Sequence, residues 1–497
     1  MKETAVSYEK QLKKNLIMYP LGTVGRDMVY SLFANYLLTF VLITKGLTTA
    51  QLAAITGIMV AARVFDALND PIMGNIIERT RTRWGKFKPW LLIGIITSSI
   101  VVIAAFNNTG ITGWSFVIYF GFIYFMYSIT YTMHDISYWG MVPALSSDGD
   151  TRNKFTSRAT LFAGIGSTIA SVLIPMLTTG GMAIGGNAVT AYGVVAIAVC
   201  IISPMFVMFT LFGVKENRSD QSKPAPEISI KTIVKTIMGN DQLLWISLIF
   251  LIQQIGNGLV VGGLGSFYIY FEFGYNGGLY SLFTIVGMSV TAFLMIFYPM
   301  ISKKVPRKEL TTVLLFVSVL GYAVMFGAGL LMPAVMTKFY IITVGYMLAN
   351  FGQYGYYLIM MISIINTVEY NEYKHGNRAE AIIASLRPFL TKLGSAFCVA
   401  ITSATYMIFR VTSITNGISA AENQAVLDPS YDKTGIISSL LRTVKRSQTL
   451  GLLFAMTIVP LAFMTIAYFI YRAKYNLDEV EYSRICKELE IRQSSVK

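Results

Sequence analysis

The chain has 497 residues, of which 54% are hydrophobic and 13% charged, with a formal net charge of +14. Soluble domains carry about a quarter charged residues, so the composition points to a bilayer. The Lys and Arg residues fall in short clusters between apolar blocks, with no aromatic-studded basic domain around them, which excludes a nucleic-acid binder.

Residues 1–17 are polar, Lys-rich and lack the shape of a cleavable signal, so the first span is expected to stay in the mature protein. Apolar blocks near the roughly 20 residues that cross a bilayer predict spans at 18–44, 51–77, 89–107, 113–142, 156–180 and 189–214. A polar stretch, 215–240, follows. Six more spans are predicted at 242–272, 279–301, 310–333, 338–368, 380–410 and 447–472, then a tail over 473–497. The expected fold is an all-α membrane protein of about twelve transmembrane helices. It divides into an N-terminal six-helix bundle (18–214), a cytoplasmic linker (215–240) and a C-terminal six-helix bundle (241–472). Cys200 and Cys398 lie in apolar stretches and read as packing residues; with Cys486 they form no metal or disulfide pattern.

Basic residues gather on alternate loops: Lys2, Lys10, Lys13 and Lys14; Arg79, Arg81, Arg83, Lys86 and Lys88; Lys215, Arg218 and Lys223; Lys303, Lys304, Arg307 and Lys308; Arg472 and Lys474. The opposite short loops carry little beyond Lys45 and Lys338. The positive-inside rule then places both termini in the cytoplasm and the loop 411–445 outside. Basic loops at 79–88 and 303–308, six spans apart, give a weak echo between two halves, the six-plus-six plan of major facilitator transporters.

Ionisable residues inside a span cost at least about 2.5–3.5 kcal/mol on insertion scales, face the bundle interior and mark function by default. In the second span Arg63, Asp66 and Asp70 share a face at i, i+3 and i+7, with Asn69 beside it. Two carboxylates one turn apart in low dielectric cannot both stay ionised cheaply, and a proton or monovalent cation relieves the conflict. In the fourth span Thr132, Asp135 and Trp139 share a face. Thr132 offers the cation another oxygen; a carboxylate beside an indole suits a sugar, whose hydroxyls donate to the one and whose apolar face covers the other. Arg26 and Asp27 in the first span, Arg158 in the fifth, and Arg387 and Lys392 in the eleventh supply further charge. The competing readings are purely structural ion pairs of Asp66 and Asp70 with Arg63 or Lys392, Trp139 as an interfacial anchor, and Arg158 as a topogenic charge. His134 lies off the Thr132 face and reads as a helix-contact residue, and Glu272, near the outer end of the seventh span, as solvated.

The strings FDALNDPIMG (65–74) and RTRWGKFKPW (81–90) resemble the signature of the glycoside–pentoside–hexuronide:cation symporters, a major facilitator family. Gly25-Arg-Asp27, YTMHDISYW (131–139), VEYNEYK (368–374) and KLGSAF (392–397) match as well, and the resemblance runs from near residue 18 to the last span. It implies that Asp66, Asn69, Asp70 and Thr132 form the cation site. Asp27 and Asp135 become the main sugar-binding carboxylates, assisted by Arg158 and Trp139, with Lys392 near the cation carboxylates. Arg26 replaces the family's lysine, Tyr357 a tryptophan lining the sugar path, and Arg387-Pro388 a Gln-Thr pair near the sugar.

The expected function is Na⁺- or H⁺-coupled symport of a sugar or glycoside by alternating access, in a bacterial inner membrane, by a monomer with no cofactor and no enzymatic activity. A symporter of the same fold carrying a lysolipid is the alternative, and a non-transporting membrane sensor a third. There is no Walker A pattern, and the two histidines, His134 and His375, form no metal cluster.

Overall fold

In hydrocarbon every backbone polar group must find its partner within its own segment, so long apolar runs become helices. A computed structural model describes residues 2–146, 148–216, 230–302, 304–377 and 379–495. Among them there is no strand. The helices are α1 (Lys2–Ser31), α2 (Leu37–Thr44), α3 (Thr49–Arg79), α4 (Lys88–Phe106), α5 (Gly113–Gly140), α6 (Val142–Leu145), α7 (Gly149–Thr178) and α8 (Ala188–Gly213). They continue with α9 (Ile230–Gly239), α10 (Asp241–Gly258), α11 (Gly265–Phe273), α12 (Gly277–Ile301), α13 (Arg307–Leu331), α14 (Met336–His375) and α15 (Glu380–Ile408). The last four are α16 (Val411–Leu427), α17 (Lys433–Leu441), α18 (Arg446–Lys474) and α19 (Glu479–Ser495).

Nine of the described helices are long and apolar enough to cross a membrane, or ten if the bent pair Leu386–Ile408 and Val411–Leu427 is one span. Among the described residues that is fewer than the twelve or so expected from the sequence. The block at 242–272 is interrupted by a π-helical segment, Val260–Leu264, where Gly263 takes a φ of 121° that only glycine adopts without strain. The block at 338–368 lies within α14, whose Asn350, Gln353, Asn366 and Glu369 dilute its apolar character.

Two compact units emerge. The first comprises 1–226, 274–282 and 410–444; the second comprises 227–273, 283–409 and 445–497. Thus the loop expected outside the membrane at 411–445 folds as α16 and α17 and packs within the first unit. Asn423 Nδ2 donates to Thr44 O at 2.7 Å and Asn416 Nδ2 to Leu47 O at 2.9 Å. Glu422, fully buried, accepts from the Ala188 N–H at 2.7 Å and pairs with Lys433 at 3.3 Å. Of the expected linker, Arg218 and Lys223 lie outside the described residues, as does Lys303 of the later basic loop, while 230–239 is helical. The polar N-terminal segment continues into α1 without a break, and the tail forms α19.

In the first unit α1 runs against both α7 and α8, and these close approaches need small residues. A Cβ on Gly25 would meet the Ser203 backbone of α8 at 2.5 Å. Below the polar region, Tyr19 and Tyr138 stack at 4.4 Å and each hydroxyl donates to the other's carbonyl, at 2.8 and 2.6 Å, tying α1 to α5. His134 is fully buried, with Nδ1 3.1 Å from Leu91 O on α4, in the helix-contact role expected of it.

In the second unit Arg307 donates from its backbone N–H and from Nε to Glu479, at 2.9 and 2.7 Å, fastening α19 to the start of α13. Glu272 corrects the sequence reading. It is not solvated but pairs with Lys338, which is 2% exposed, because α14 brings that lysine against the end of α11.

Candidate cation and substrate site

The polar residues of α1, α3 and α5 converge inside the first unit. Helix α3 begins on a capping box, with Thr48 accepting from Gln51 N–H and Gln51 accepting from Thr48 N–H. Its helical phase then puts Arg63, Asp66 and Asp70 toward α5.

Asp66 is buried and takes Arg63 Nη1 at 3.5 Å through Oδ2 and the Ser128 hydroxyl through Oδ1. Asp70 Oδ1 accepts from Thr132 Oγ1 at 3.1 Å. Asn69 lies beside them, and its buried Nδ2 has no hydrogen-bond partner among the described residues. Two carboxylates, two hydroxyls and one amide therefore meet between α3 and α5. Among the described residues no group of three or more His, Cys, Asp or Glu is placed to hold a metal ion. Two carboxylates with neutral oxygens make a hard donor set of the kind that suits a hard cation or a proton.

Ser128 was not picked out from the sequence, yet it lies one turn before Thr132 on the same face of α5. The stripe Ser128, Thr132, Asp135, Trp139 follows helical spacing and carried the signal.

One turn beyond Thr132 the second cluster begins. Arg26 is nearly buried and joins both candidate sugar carboxylates. Its Nη2 lies 2.7 Å and its Nε 2.9 Å from Asp27 Oδ2, while Nη1 donates to Asp135 Oδ1 at 3.0 Å. The guanidinium carbon sits 5.0 Å from the Trp139 ring centre and 5.3 Å from that of Tyr138. Such a cation over an indole face is attracted by the ring quadrupole. Asp135 stays 31% exposed at its side chain and Asp27 14%, so a ligand can reach them. Tyr131 lies on the same helix, in contact with Tyr30 of α1 at 5.6 Å and stacked with Tyr127 at 5.3 Å.

The structure thus brings together Arg26, Asp27, Asp135 and Trp139 in one cluster, and Arg63, Asp66, Asn69, Asp70 and Thr132 in the other. It does not bring Arg158 to either. That side chain is exposed and donates to Leu16 O at 3.1 Å. Leu16 precedes Arg26 by ten residues, about 15 Å along a helix. Tyr357, Arg387 and Lys392 belong to the second unit. There Tyr357 contacts Phe250 and Tyr354 at ring distances of 5.9 and 5.6 Å, Arg387 is exposed on α15, and Lys392 is half-buried one turn further on.

A family model described as MFS/sugar transport protein matches residues 18–479. Over 516 aligned residues the chain is 28% identical to a lactose permease of Leuconostoc lactis, covering 99% of this chain and 74% of that protein. It is 28% identical to a raffinose carrier protein of Pediococcus pentosaceus over 76% of this chain and 60% of that protein. Among solved structures, a bacterial homolog of the human lysosomal transporter Spinster, inward-facing and occupied, aligns with a TM-score of 0.61 at 14% identity. That alignment covers 93% of this chain and 95% of the other. At that identity the likeness establishes the fold, the major facilitator fold expected from the sequence.

Proposed function

The chain belongs to the MFS/sugar transport protein family and is a multi-pass membrane transporter rather than an enzyme, and from that premise we propose that it carries a sugar or glycoside into the cell by symport with Na⁺ or H⁺. The observation that carries this reading is the placement of two acidic clusters one helical turn apart on α5. Thr132 holds Asp70, and three residues on Asp135 shares Arg26 with Asp27.

The formal charge of the six side chains Arg26, Asp27, Arg63, Asp66, Asp70 and Asp135 is two positive against four negative, or −2. A cation bound among Asp66, Asn69, Asp70, Ser128 and Thr132 lowers that excess. Binding turns the Thr132 hydroxyl from a donor to Asp70 into an oxygen ligand, and this fixes the turn of α5 on which Asp135 is mounted. Substrate hydroxyls then donate to the free oxygens Asp27 Oδ1 and Asp135 Oδ2, while the Trp139 indole covers the apolar face of a pyranose. Arg26 ties the pair of carboxylates together through its ion pairs to both.

Transport follows by alternating access, with cation binding first. Linkage then requires that substrate raise cation affinity by the factor by which cation raises substrate affinity. The Lys and Arg bias supports cytoplasmic termini, and the bacterial relatives support a bacterial inner (plasma) membrane location.

The test is uptake of a labelled glycoside panel into proteoliposomes under an imposed Na⁺ or H⁺ gradient, with Asp70→Asn and Asp135→Asn alongside. Accumulation of one glycoside with one ion, lost in Asp70→Asn, together with loss of sugar binding in Asp135→Asn, supports the reading. If folded protein moves no sugar under either gradient, the sugar assignment fails and a lysolipid or a sensing role takes its place.

A further inference from the structure

Helices α1 and α8 meet closely at one end of the first unit. A Cβ on Gly213 would meet Met18 Cγ at 2.6 Å, and Thr210 Oγ1 donates to Met18 O and Tyr19 O at 3.3 and 3.2 Å. Outside this contact the two helices leave a groove of about 470 Å³. It is lined by Lys14, Met18, Met205, Met208, Phe209, Phe212 and Gly213. Its apolar side chains are open: Phe212 is 74% exposed and Met205 59%.

The depth of the groove in the bilayer can be read from its residues. Helix α8 ends at Gly213, where Lys88 Nζ takes the carbonyls of Leu211 and Val214 at 2.7 and 2.6 Å. Lys215 follows at once, and its backbone N–H and carbonyl bond to Asn15 on α1 at 3.2 and 3.0 Å. A helix end set among lysines marks the membrane–water boundary. From Gly213 to Met205 is eight residues, about 12 Å, most of the roughly 15 Å depth of one hydrocarbon leaflet. One end of the groove therefore lies at headgroup level and the rest within the acyl region.

Lys14 stands at the headgroup end. Lys13, next to it, is paired with Glu9 at 2.8 Å, whereas Lys14 has no anionic partner among the described residues. Methionine suits the remainder, since its unbranched, polarizable side chain adapts to a flexible chain.

We propose that this groove holds one phospholipid with a net negative headgroup, its phosphate on the Lys14 ammonium and an acyl chain lying over Met18, Met205, Met208, Phe209 and Phe212. The positive mouth selects an anionic over a zwitterionic lipid. Lys14 is outside both clusters assigned to transport.

The experiment uses full-length protein stripped of lipid in detergent and re-exposed to equal amounts of phosphatidylglycerol and phosphatidylcholine, with retained lipid counted by native mass spectrometry. The wild type is expected to retain one phosphatidylglycerol in preference. Lys14→Gln is expected to lower the preference about five-fold, the worth of one lysine at an anionic surface. Met208→Trp, which fills the groove, is expected to abolish retention of either lipid. Thermal unfolding of each variant in detergent confirms folded protein. An unchanged preference in Lys14→Gln, equal retention of both lipids by the wild type, or undiminished retention in Met208→Trp overturns the proposal. So does finding that Met208→Trp dissociates a dimer while the lipid preference persists, since the groove would then hold a second copy.

Discussion

Thr132 and Asp135 stand three residues apart on one face of α5, the first bonded to Asp70 of α3 and the second to Arg26 of α1. Whatever moves the Thr132 hydroxyl moves the mounting of Asp135 with it. Removing that hydroxyl should therefore weaken coupling without touching the second cluster. Thr132→Ala is expected to lower cation affinity by roughly 10–100-fold, the worth of a hydrogen bond to a charged group. Substrate affinity without cation should stay near that of the wild type. Titrating substrate binding at several cation concentrations checks this, and a uniform loss of substrate affinity would count against it.

Arg26 should act through structure as well as binding. Arg26→Ala leaves Asp27 and Asp135 facing each other without their shared cation, and breaking a buried pair costs about 3–5 kcal/mol. Adding Asp27→Asn to that variant removes one of the stranded charges and should recover part of the loss. Denaturant unfolding of wild type, the two single variants and the double variant measures the effect, and additive losses would contradict it.

A third test concerns packing. Gly25→Ala places a methyl group against the Ser203 backbone at 2.5 Å, where no flexible side chain can yield. Separation of α1 from α8 should lower the melting temperature in detergent and reduce transport, because Arg26 and Asp27 ride on the displaced turn. Gly57→Ala, where a Cβ meets nothing within 4 Å, is the matched control and should leave the protein's melting temperature unchanged.

At the start of α10, burial pushes the Asp241 carboxyl up, but hydrogen bonds from Lys374 at 2.6 Å, Gln242 at 2.7 Å and Tyr370 at 2.9 Å outweigh it and hold its pKa at about 2. A folded pKa below the unfolded value of 3.8 gives stability that is present above pH 3.8 and is lost as pH falls through about 2. Both partners are more than a third exposed, so after solvent screening the contribution is about 1 kcal/mol or less. Asp241→Asn should flatten the part of the unfolding free energy that varies between pH 4 and 2, leaving the remainder of the profile in place.

The buried pair Glu422–Lys433 on α16 and α17 offers a sharper contrast. Glu422→Ala strands Lys433, 8% exposed at its side chain, and frees the Ala188 N–H, for an expected loss of about 3–5 kcal/mol. Replacing both with apolar residues of similar volume, Glu422→Met with Lys433→Met, should cost less than the single change. Unfolding in detergent distinguishes the two.

Helical spacing made much of this legible. Arg63, Asp66 and Asp70 share a face by arithmetic alone, and Thr132 with Asp135 and Trp139 does likewise, so the residues that converge between α1, α3 and α5 could be named from their order in the chain. What spacing cannot give is the partner across a gap. That Arg26 spans Asp27 and Asp135, that Ser128 reaches Asp66, and that Lys338 neutralises Glu272 depend on how separate helices dock. The breaks were hidden for a related reason. Gly263 inside an apolar run looks like any other glycine until its φ is known; the end of a span at 410 was legible, but the 89° bend there, on Arg410 at a φ of 51°, and the helix that follows it were not. Hydropathy averages over such points.

The return of residues 410–444 to the first unit has a consequence for how the chain is made. The N–H of Ala188 and the carbonyls of Thr44 and Leu47 wait for partners, Glu422, Asn423 and Asn416, that leave the ribosome more than two hundred residues after Ala188. The first unit is synthesised early and finished late, so assembly of this protein cannot proceed strictly half by half. If the gene were split at the linker and the two parts produced separately, the N-terminal part would enter the membrane lacking the segment that completes it. Its lifetime in the cell should then depend on how soon the C-terminal part arrives.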